Sequence, residues 1–91
     1  MKQEHLYQEL KNLSEKLGIR VTEKSFRNIA AGIRFQSGLC RIRGKDRFIM
    51  DRNISLSQKN ELLAECLAAM PLENIYIVPA LREYLEKYKG K

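Results

Sequence analysis

The chain has 91 residues, of which 44% are hydrophobic and 31% are charged, and it carries a net charge of +6. That length fits one domain with one modest core, and the hydrophobic share excludes a disordered chain. The sequence has no signal-peptide pattern and no apolar run near the roughly 18 residues of a membrane helix, so it predicts a cytoplasmic protein with reduced thiols and no membrane partner.

The positive charge is concentrated in the middle of the chain. Residues 20–52 hold nine basic and three acidic residues and so account for the whole excess of +6, while residues 1–19 and 53–91 each sum to zero. Most of the excess is arginine, whose planar guanidinium suits phosphate and carboxylate groups. The charge distribution therefore indicates an anionic partner, if the surface binds one.

The N-terminal region predicts an amphipathic helix over residues 2–17. Four leucines recur there at intervals of four, three and four residues, which places them on one face. Gly18 follows as a helix-ending residue. The stripe suits a helix that packs on the core, and a dimerising helix is the alternative.

The next segments differ in how clearly their sequence predicts a structure. Alternating apolar and polar residues predict a short strand over residues 19–23 and another over residues 33–36. Residues 24–32 fit a short helix capped by Ser25, an irregular loop or a strand, and the sequence does not separate the three.

Residues 37–55, SGLCRIRGKDRFIMDRNIS, predict a β-hairpin that leads into a helix. The two hairpin strands are expected at residues 39–43 and 47–51. A two-residue loop at residues 44–45 would mix apolar and polar side chains on both faces of the hairpin. A three-residue loop at residues 44–46 gives one apolar face instead, and we predict that register.

The predicted register has specific consequences. Cys40 and Ile42 would lie opposite Met50 and Phe48 on the apolar face. Asp46 would adopt the left-handed conformation, which aspartate tolerates better than most residues.

The C-terminal third predicts two helices. Ser55 and Gln58 match the S-x-x-Q capping box at the start of a helix over residues 56–70. Residues 75–78 predict a short edge strand. A proline then suits the first turn of a last helix over residues 79–88.

These elements predict a single α+β domain with two layers, a small antiparallel sheet of three to four strands and about three helices. The expected sheet is a meander with the helices on one face. The predicted core is apolar apart from two cysteines and consists of Leu6, Leu10, Leu13, Leu17, Ile19, Val21, Phe35, Cys40, Ile42, Phe48, Met50, Leu62, Leu63, Cys66, Leu67, Met70, Leu81 and Leu85.

The sequence offers little catalytic chemistry. His5 is its only histidine, and neither cysteine has the spacing of a metal ligand. It has no glycine-rich phosphate loop and no nucleophile elbow. We therefore predict no cofactor and no metal, and favour a non-catalytic binding or protein-interaction module.

The strand-then-helix order of residues 47–70 resembles the minimal core of zincin metallopeptidases, in which a helix carries H-E-x-x-H. On that motif Ala64 and Ala68 stand in place of the two histidines and Glu65 in place of the glutamate. The resemblance implies a similar strand–helix unit without the zinc ligands and without the activity.

A second resemblance covers residues 17–86. The segments GLCRIRGKDRFIMDRNIS and IYIVPALREYLE are similar to a set of short bacterial proteins with the pattern G-L-C-R-x-R-G, an apolar strand ending in D-R, a helix and a P-x-L/V-R-E ending. That set has no assigned activity. The resemblance implies a free-standing small bacterial protein and no particular chemistry.

An arginine-rich sheet face is the one candidate site. The predicted register points three hairpin arginines away from the core, with a lysine at the loop and a further arginine from residues 33–36. The candidate residues are Arg34, Arg41, Arg43, Lys45 and Arg47.

Three interpretations of that face remain open. It is a solvated surface, an anion- or nucleic-acid-binding surface, or an interface with an acidic partner or a second copy. Without aromatic side chains for base stacking, nucleic-acid binding would be largely independent of sequence. Leu39 and Ile49, its expected apolar neighbours, also suit an interface.

Overall fold

Three α-helices and a three-stranded sheet form the regular structure of the described residues. The computed structural model describes residues 1–25 and 38–89, so the predicted strand 33–36, Arg34, Phe35 and most of residues 24–32 lie outside. The predicted α+β class with a small sheet is confirmed. The elements are α1 (Gln3–Lys16), β1 (Arg20–Lys24), β2 (Gly38–Ile42), β3 (Lys45–Asp51), α2 (Leu56–Ala68) and α3 (Pro79–Glu86).

The sheet is mixed, whereas the sequence predicted an antiparallel meander. Its strand order is β1-β3-β2, with β3 in the centre. β2 pairs with β3 antiparallel, and β1 pairs with β3 parallel. The chain thus leaves β1 at one edge of the sheet and enters β2 at the other.

The hairpin turns one residue earlier than predicted. Its two-residue loop is Arg43 and Gly44, and both have positive φ, 53° and 78°. This pattern is that of a type I′ turn, whose twist matches the twist of the flanking strands. The left-handed conformation predicted for Asp46 is therefore wrong, because Asp46 lies within β3.

Because of the earlier turn, each side chain of β2 lies on the face of the sheet opposite to the predicted one. Leu39, not Cys40 or Ile42, shares the buried face with Phe48, its cross-strand partner. An odd shift in register moves every side chain of a strand to the other face. Cys40 and Ile42 are exposed as a result, Ile42 by 44%, and their predicted places in the core are wrong.

The type I′ turn leads to a testable prediction about the free energy of unfolding. Arg43 is the one described residue other than glycine with positive φ, and asparagine tolerates this conformation far better than arginine. We expect Arg43→Asn to raise the free energy of unfolding by about 0.5–1 kcal/mol. Thermal denaturation measures the change, and a lower melting temperature would contradict the turn assignment.

The core lies between the sheet and the helices. Phe48 and Met50 of β3 pack against leucines of α1, α2 and α3 in one buried cluster. The predicted core residues found buried are Leu6, Leu10, Leu13, Ile19, Phe48, Met50, Leu63, Leu67, Leu81 and Leu85. The predicted residues Leu17, Val21, Leu62, Cys66 and Met70 are half-buried around that cluster.

The segment before α3 contributes to the core without forming a strand. Residues 75–78 have no ladder partner among the described residues, so the predicted edge strand is wrong. Ile77 is nevertheless buried in the main cluster, as is Leu72. Two apolar side chains thus reach the core from irregular backbone. The sequence pattern of such a segment looks the same as that of a strand paired in a sheet.

The beginning of α2 is fixed by its cap and by a buried amide. The Gln58 backbone N–H donates to Ser55 Oγ at 3.2 Å, and the Ser55 N–H donates to Gln58 Oε1 at 3.2 Å, which confirms the predicted capping box. Asn60 is fully buried and its Nδ2 donates to the backbone oxygen of Gln3 at 3.2 Å. This bond joins α2 to the first turn of α1.

Candidate anion-binding groove

An open groove of about 460 Å³ lies between the end of α1 and the tip of the β2–β3 hairpin. Three of its lining side chains are cations, and one is a carboxylate. We call it the basic groove; it is lined by Leu17, Gly18, Arg20, Gly44, Lys45, Asp46 and Arg47.

Local structure brings the three cations together. Gly18, with φ of 81°, follows α1 and turns the chain so that Arg20 begins β1. The parallel pairing of β1 with β3 places Arg20 beside Arg47, on strands about 4.8 Å apart. Lys45 and Arg47 are two residues apart in β3, so their side chains lie on the same face of the sheet.

The electrostatic balance of the groove is positive. Arg41 Nε lies 3.1 Å from Asp46 Oδ1, so the single carboxylate already has a cationic partner outside the groove. Among the described residues, no salt bridge engages Arg20, Lys45 or Arg47. An anion entering the groove therefore meets three positive charges of which none is neutralised by a described neighbour.

The structure brings together only part of the predicted site. Lys45 and Arg47 line the groove, as residues of one face should. Arg41 pairs with Asp46 across the hairpin, and both lie on the face that holds Phe48. Arg43 occupies the turn.

The predicted arginine face therefore does not form. Its basis was the three-residue loop, and the observed two-residue turn sends Arg41 and Arg47 to opposite faces. Arg34 lies outside the described residues. Arg20 lies in the groove instead. It was not among the predicted site residues, since its position depends on the parallel pairing of β1 with β3 and the expected sheet was antiparallel. The available signal was its position at the start of the basic stretch, two residues after Gly18, the residue that follows the C-cap of α1.

A second polar cluster joins α1, β1 and α2. The Tyr7 hydroxyl donates to Glu23 Oε2 at 2.7 Å, and the Lys59 ammonium donates to Glu23 Oε1 at 2.9 Å. The Lys59 and Lys11 ammonium groups also lie over the Tyr7 ring, at 5.8 and 5.1 Å from its centroid. Every polar group of the cluster has a partner, so the cluster holds α1, β1 and α2 together.

Burial and hydrogen bonding shift two pKa values in this cluster. Burial raises the pKa of the Tyr7 hydroxyl, and the neighbouring carboxylate raises it further. Burial also acts to raise the pKa of Glu23, but the hydrogen bonds from Lys59 and Tyr7 together with the positive charges of Lys59 and Lys11 outweigh it, and the net pKa is lower than usual. Glu23 is thus held as a carboxylate and Tyr7 as a neutral phenol, which fixes the donor and acceptor roles at neutral pH.

The two cysteines have different surroundings, and neither is in a disulfide. Cys40 is exposed on β2, while Cys66 is half-buried on α2. Burial raises the pKa of the Cys66 thiol, and the negative charge of Asp46 raises it further. Both effects disfavour the reactive thiolate at Cys66.

The positions that correspond to the zincin motif have structural roles. Ala64 and Ala68 pack in the core side of α2, and Glu65 is exposed. Over residues 1–25 and 38–89, no three His, Cys, Asp or Glu side chains are placed to share a metal ion.

Comparison with protein-family models, curated proteins and solved structures finds no match to this chain. In the described part of the chain, no helix combines the length and the apolar character needed to cross a bilayer.

Proposed function

We propose that this protein is a non-catalytic binding module whose basic groove takes a polyanion. The observation that carries the proposal is the convergence of Arg20, Lys45 and Arg47 on one groove. Among its described lining residues the only carboxylate is Asp46, which is paired with Arg41. Clustered cations on neighbouring strands produce a local field that attracts anions and raises their local concentration.

A phosphodiester backbone is the polyanion that best fits this chemistry. Guanidinium groups bind phosphate oxygens through two parallel hydrogen bonds, and two of the three cations are arginine. The groove is open, which suits a chain that passes through it. A small anion would instead be expected in an enclosed site that excludes water.

The binding should be insensitive to base sequence. None of the described residues that line the groove is aromatic, so they offer no ring on which a base can stack. With up to three phosphates neutralised, the logarithm of the affinity should fall against the logarithm of salt concentration with a slope of about −2 for a single strand.

Charge reversal in the groove tests the proposal. The double variant Arg20→Glu with Arg47→Glu should abolish binding of a fluorescein-labelled oligothymidine at low salt, because it replaces attraction at two of three positions with repulsion. Fluorescence anisotropy measures the affinity. Oligonucleotides of different base composition should bind wild type within a few-fold of one another.

A matched control separates the groove from net charge alone. Lys24→Glu with Arg52→Glu makes the same change, from +6 to +2, at the other end of β1 and β3. The control should retain most of the binding. Equal losses in the two double variants would contradict the groove, and a wild type that binds polyglutamate as tightly as the oligonucleotide would reassign the partner to an acidic protein.

A further inference from the structure

The second edge of the sheet has a surface that the basic groove does not include. Among the described strands, β2 lies at the edge of the sheet, in the order β1-β3-β2. Leu39 is 47% exposed there, and Cys40 and Ile42 are also exposed. Three of the five residues of β2 are apolar and Arg41 is its one charged residue, whereas edge strands more often carry several charged side chains that prevent pairing.

An apolar groove of about 520 Å³ adjoins this edge on the side of the sheet covered by the helices. β2 and β3 form one wall through Leu39 and Phe48, and α2 forms the other. Among the described residues of its lining, Glu65 is the only charged one. The α2 residues that line it are Leu62, Glu65, Cys66, Ala69 and Met70.

The opposite face of the same edge is cationic. Cys40 and Ile42 point to that face, and their cross-strand partners are Arg47 and Lys45. Both cations belong to β3, one strand in from the edge. Cys40 is the β2 residue opposite Arg47, so a cysteine side chain lies between that guanidinium and the edge. Asp51, a carboxylate on the same face of β3, lies at the other end of the strand.

We propose that β2 binds an extended segment of a partner protein by strand addition, and that this segment alternates apolar and acidic residues. Side chains of an added strand alternate between the two faces of the sheet. Its apolar residues would lie beside Leu39 in the apolar groove. Its acidic residues would lie on the outer face, near Arg47 and Lys45.

Charge favours this occupant over a second copy of the chain. Antiparallel pairing of two β2 edges with the helices on one side would join two outer faces that both carry Lys45 and Arg47. Four like charges would then share one continuous surface. An acidic segment supplies the complementary sign instead.

The inference goes beyond the polyanion proposal and does not require it. The two surfaces share Lys45 and Arg47, but Arg20 belongs to β1 at the far edge of the sheet and Leu39 belongs only to β2. Variants of these two residues therefore distinguish the two sites.

The test uses a capped synthetic peptide in which leucine and aspartate alternate, with threonine at both ends. Its titration into isotope-labelled full-length protein should shift the backbone amide resonances of residues 38–42 and the side-chain signals of α2 in the groove. A peptide of the same composition with its leucines in one block and its aspartates in another should bind at least about tenfold more weakly, because it buries fewer leucines against the groove.

Three further measurements isolate the parts of the interaction. Leu39→Thr, which keeps a strand-forming residue, should weaken binding at least about tenfold. Methylation of the peptide's backbone nitrogens should abolish binding, since strand addition needs those N–H groups. Arg20→Glu should leave the peptide affinity within about twofold of wild type, because Arg20 is two strands away.

Several results would overturn the inference. These are equal affinity for the alternating and block peptides, amide shifts confined to the basic groove, loss of peptide binding in Arg20→Glu, and β2 amides that are already protected from hydrogen exchange in the free protein. A concentration-dependent dimer that perturbs residues 38–42 would assign the edge to a second copy.

Discussion

Replacing Phe48 by alanine is expected to lower the free energy of unfolding by about 3–5 kcal/mol. Phe48 is 2% exposed, lies in the central strand and packs in the main cluster with Met50 and Leu63. The change removes a large buried side chain and leaves a cavity that the surrounding core fills only in part. Such a loss is a large share of the roughly 5–15 kcal/mol that stabilises a domain, and urea denaturation followed by circular dichroism measures it.

Ile42→Thr provides the control for register. In the observed hairpin Ile42 is exposed and pairs with Lys45, so the substitution should change the free energy of unfolding by less than about 1 kcal/mol. With the three-residue loop, Ile42 would be buried opposite Phe48 and both substitutions would be severe. A cost for Ile42→Thr comparable to that of Phe48→Ala would therefore contradict the two-residue turn.

Replacing Lys59 by methionine is expected to cost about 1–3 kcal/mol of stability at neutral pH. Methionine keeps most of the side-chain volume but removes the ammonium that lies 2.9 Å from Glu23 Oε1. The two side chains are 13% and 30% exposed, so solvent compensates only in part for the missing partner. A double-mutant cycle with Glu23→Gln isolates the pair, and additive costs would show that the two residues do not interact.

The same pair has a pH signature. Because the folded protein holds the pKa of Glu23 below the ordinary value of 4.5, the unfolded chain binds this proton more readily. The stabilisation from Glu23 is therefore complete above pH 4.5 and is lost as the pH falls through the folded pKa. In Lys59→Met the burial of Glu23 remains but the strongest counteracting hydrogen bond is gone, so its pKa rises.

The difference in unfolding free energy between wild type and Lys59→Met should accordingly shrink as the pH is lowered past 4.5. Urea denaturation across that range measures it for both proteins. A difference that stays constant with pH would mean that the variant acts through packing rather than through the charge of Glu23.

The helices could be predicted from the sequence because their signals are local. The leucine stripe of α1, the capping box of α2 and the proline at the start of α3 each act within a few residues. The prediction for α1 is one residue too long at each end, and those for α2 and α3 begin at the observed residue and end two residues too late.

The register of the hairpin could not be predicted from its apolar pattern. The pattern favoured Cys40 and Ile42 inside because the two side chains complete an apolar face. The observed turn instead satisfies backbone twist through Arg43 and Gly44, and leaves those two apolar side chains exposed. At a short hairpin the turn geometry outweighed the burial of two side chains at the edge of a sheet.

The candidate site required tertiary information. Arg47 and Lys45 were identified from local charge, but Arg20 meets them only through a parallel pairing with a strand 27 positions later. Nothing in the alternation of a short strand specifies whether its neighbour runs parallel or antiparallel. The groove therefore contains Arg20 of β1, which the predicted face lacks, and it does not contain Arg41 and Arg43.

The parallel pairing of β1 with β3 also has a kinetic consequence. The β2–β3 hairpin is local and closes through a two-residue turn, which takes microseconds in small hairpins. The docking of β1 must close a much longer loop, and loop closure of that kind comes later because its entropic cost precedes its contacts. The basic groove is completed only at that step, so its ligand recognises the finished sheet and stabilises the native state over every species in which β1 is undocked.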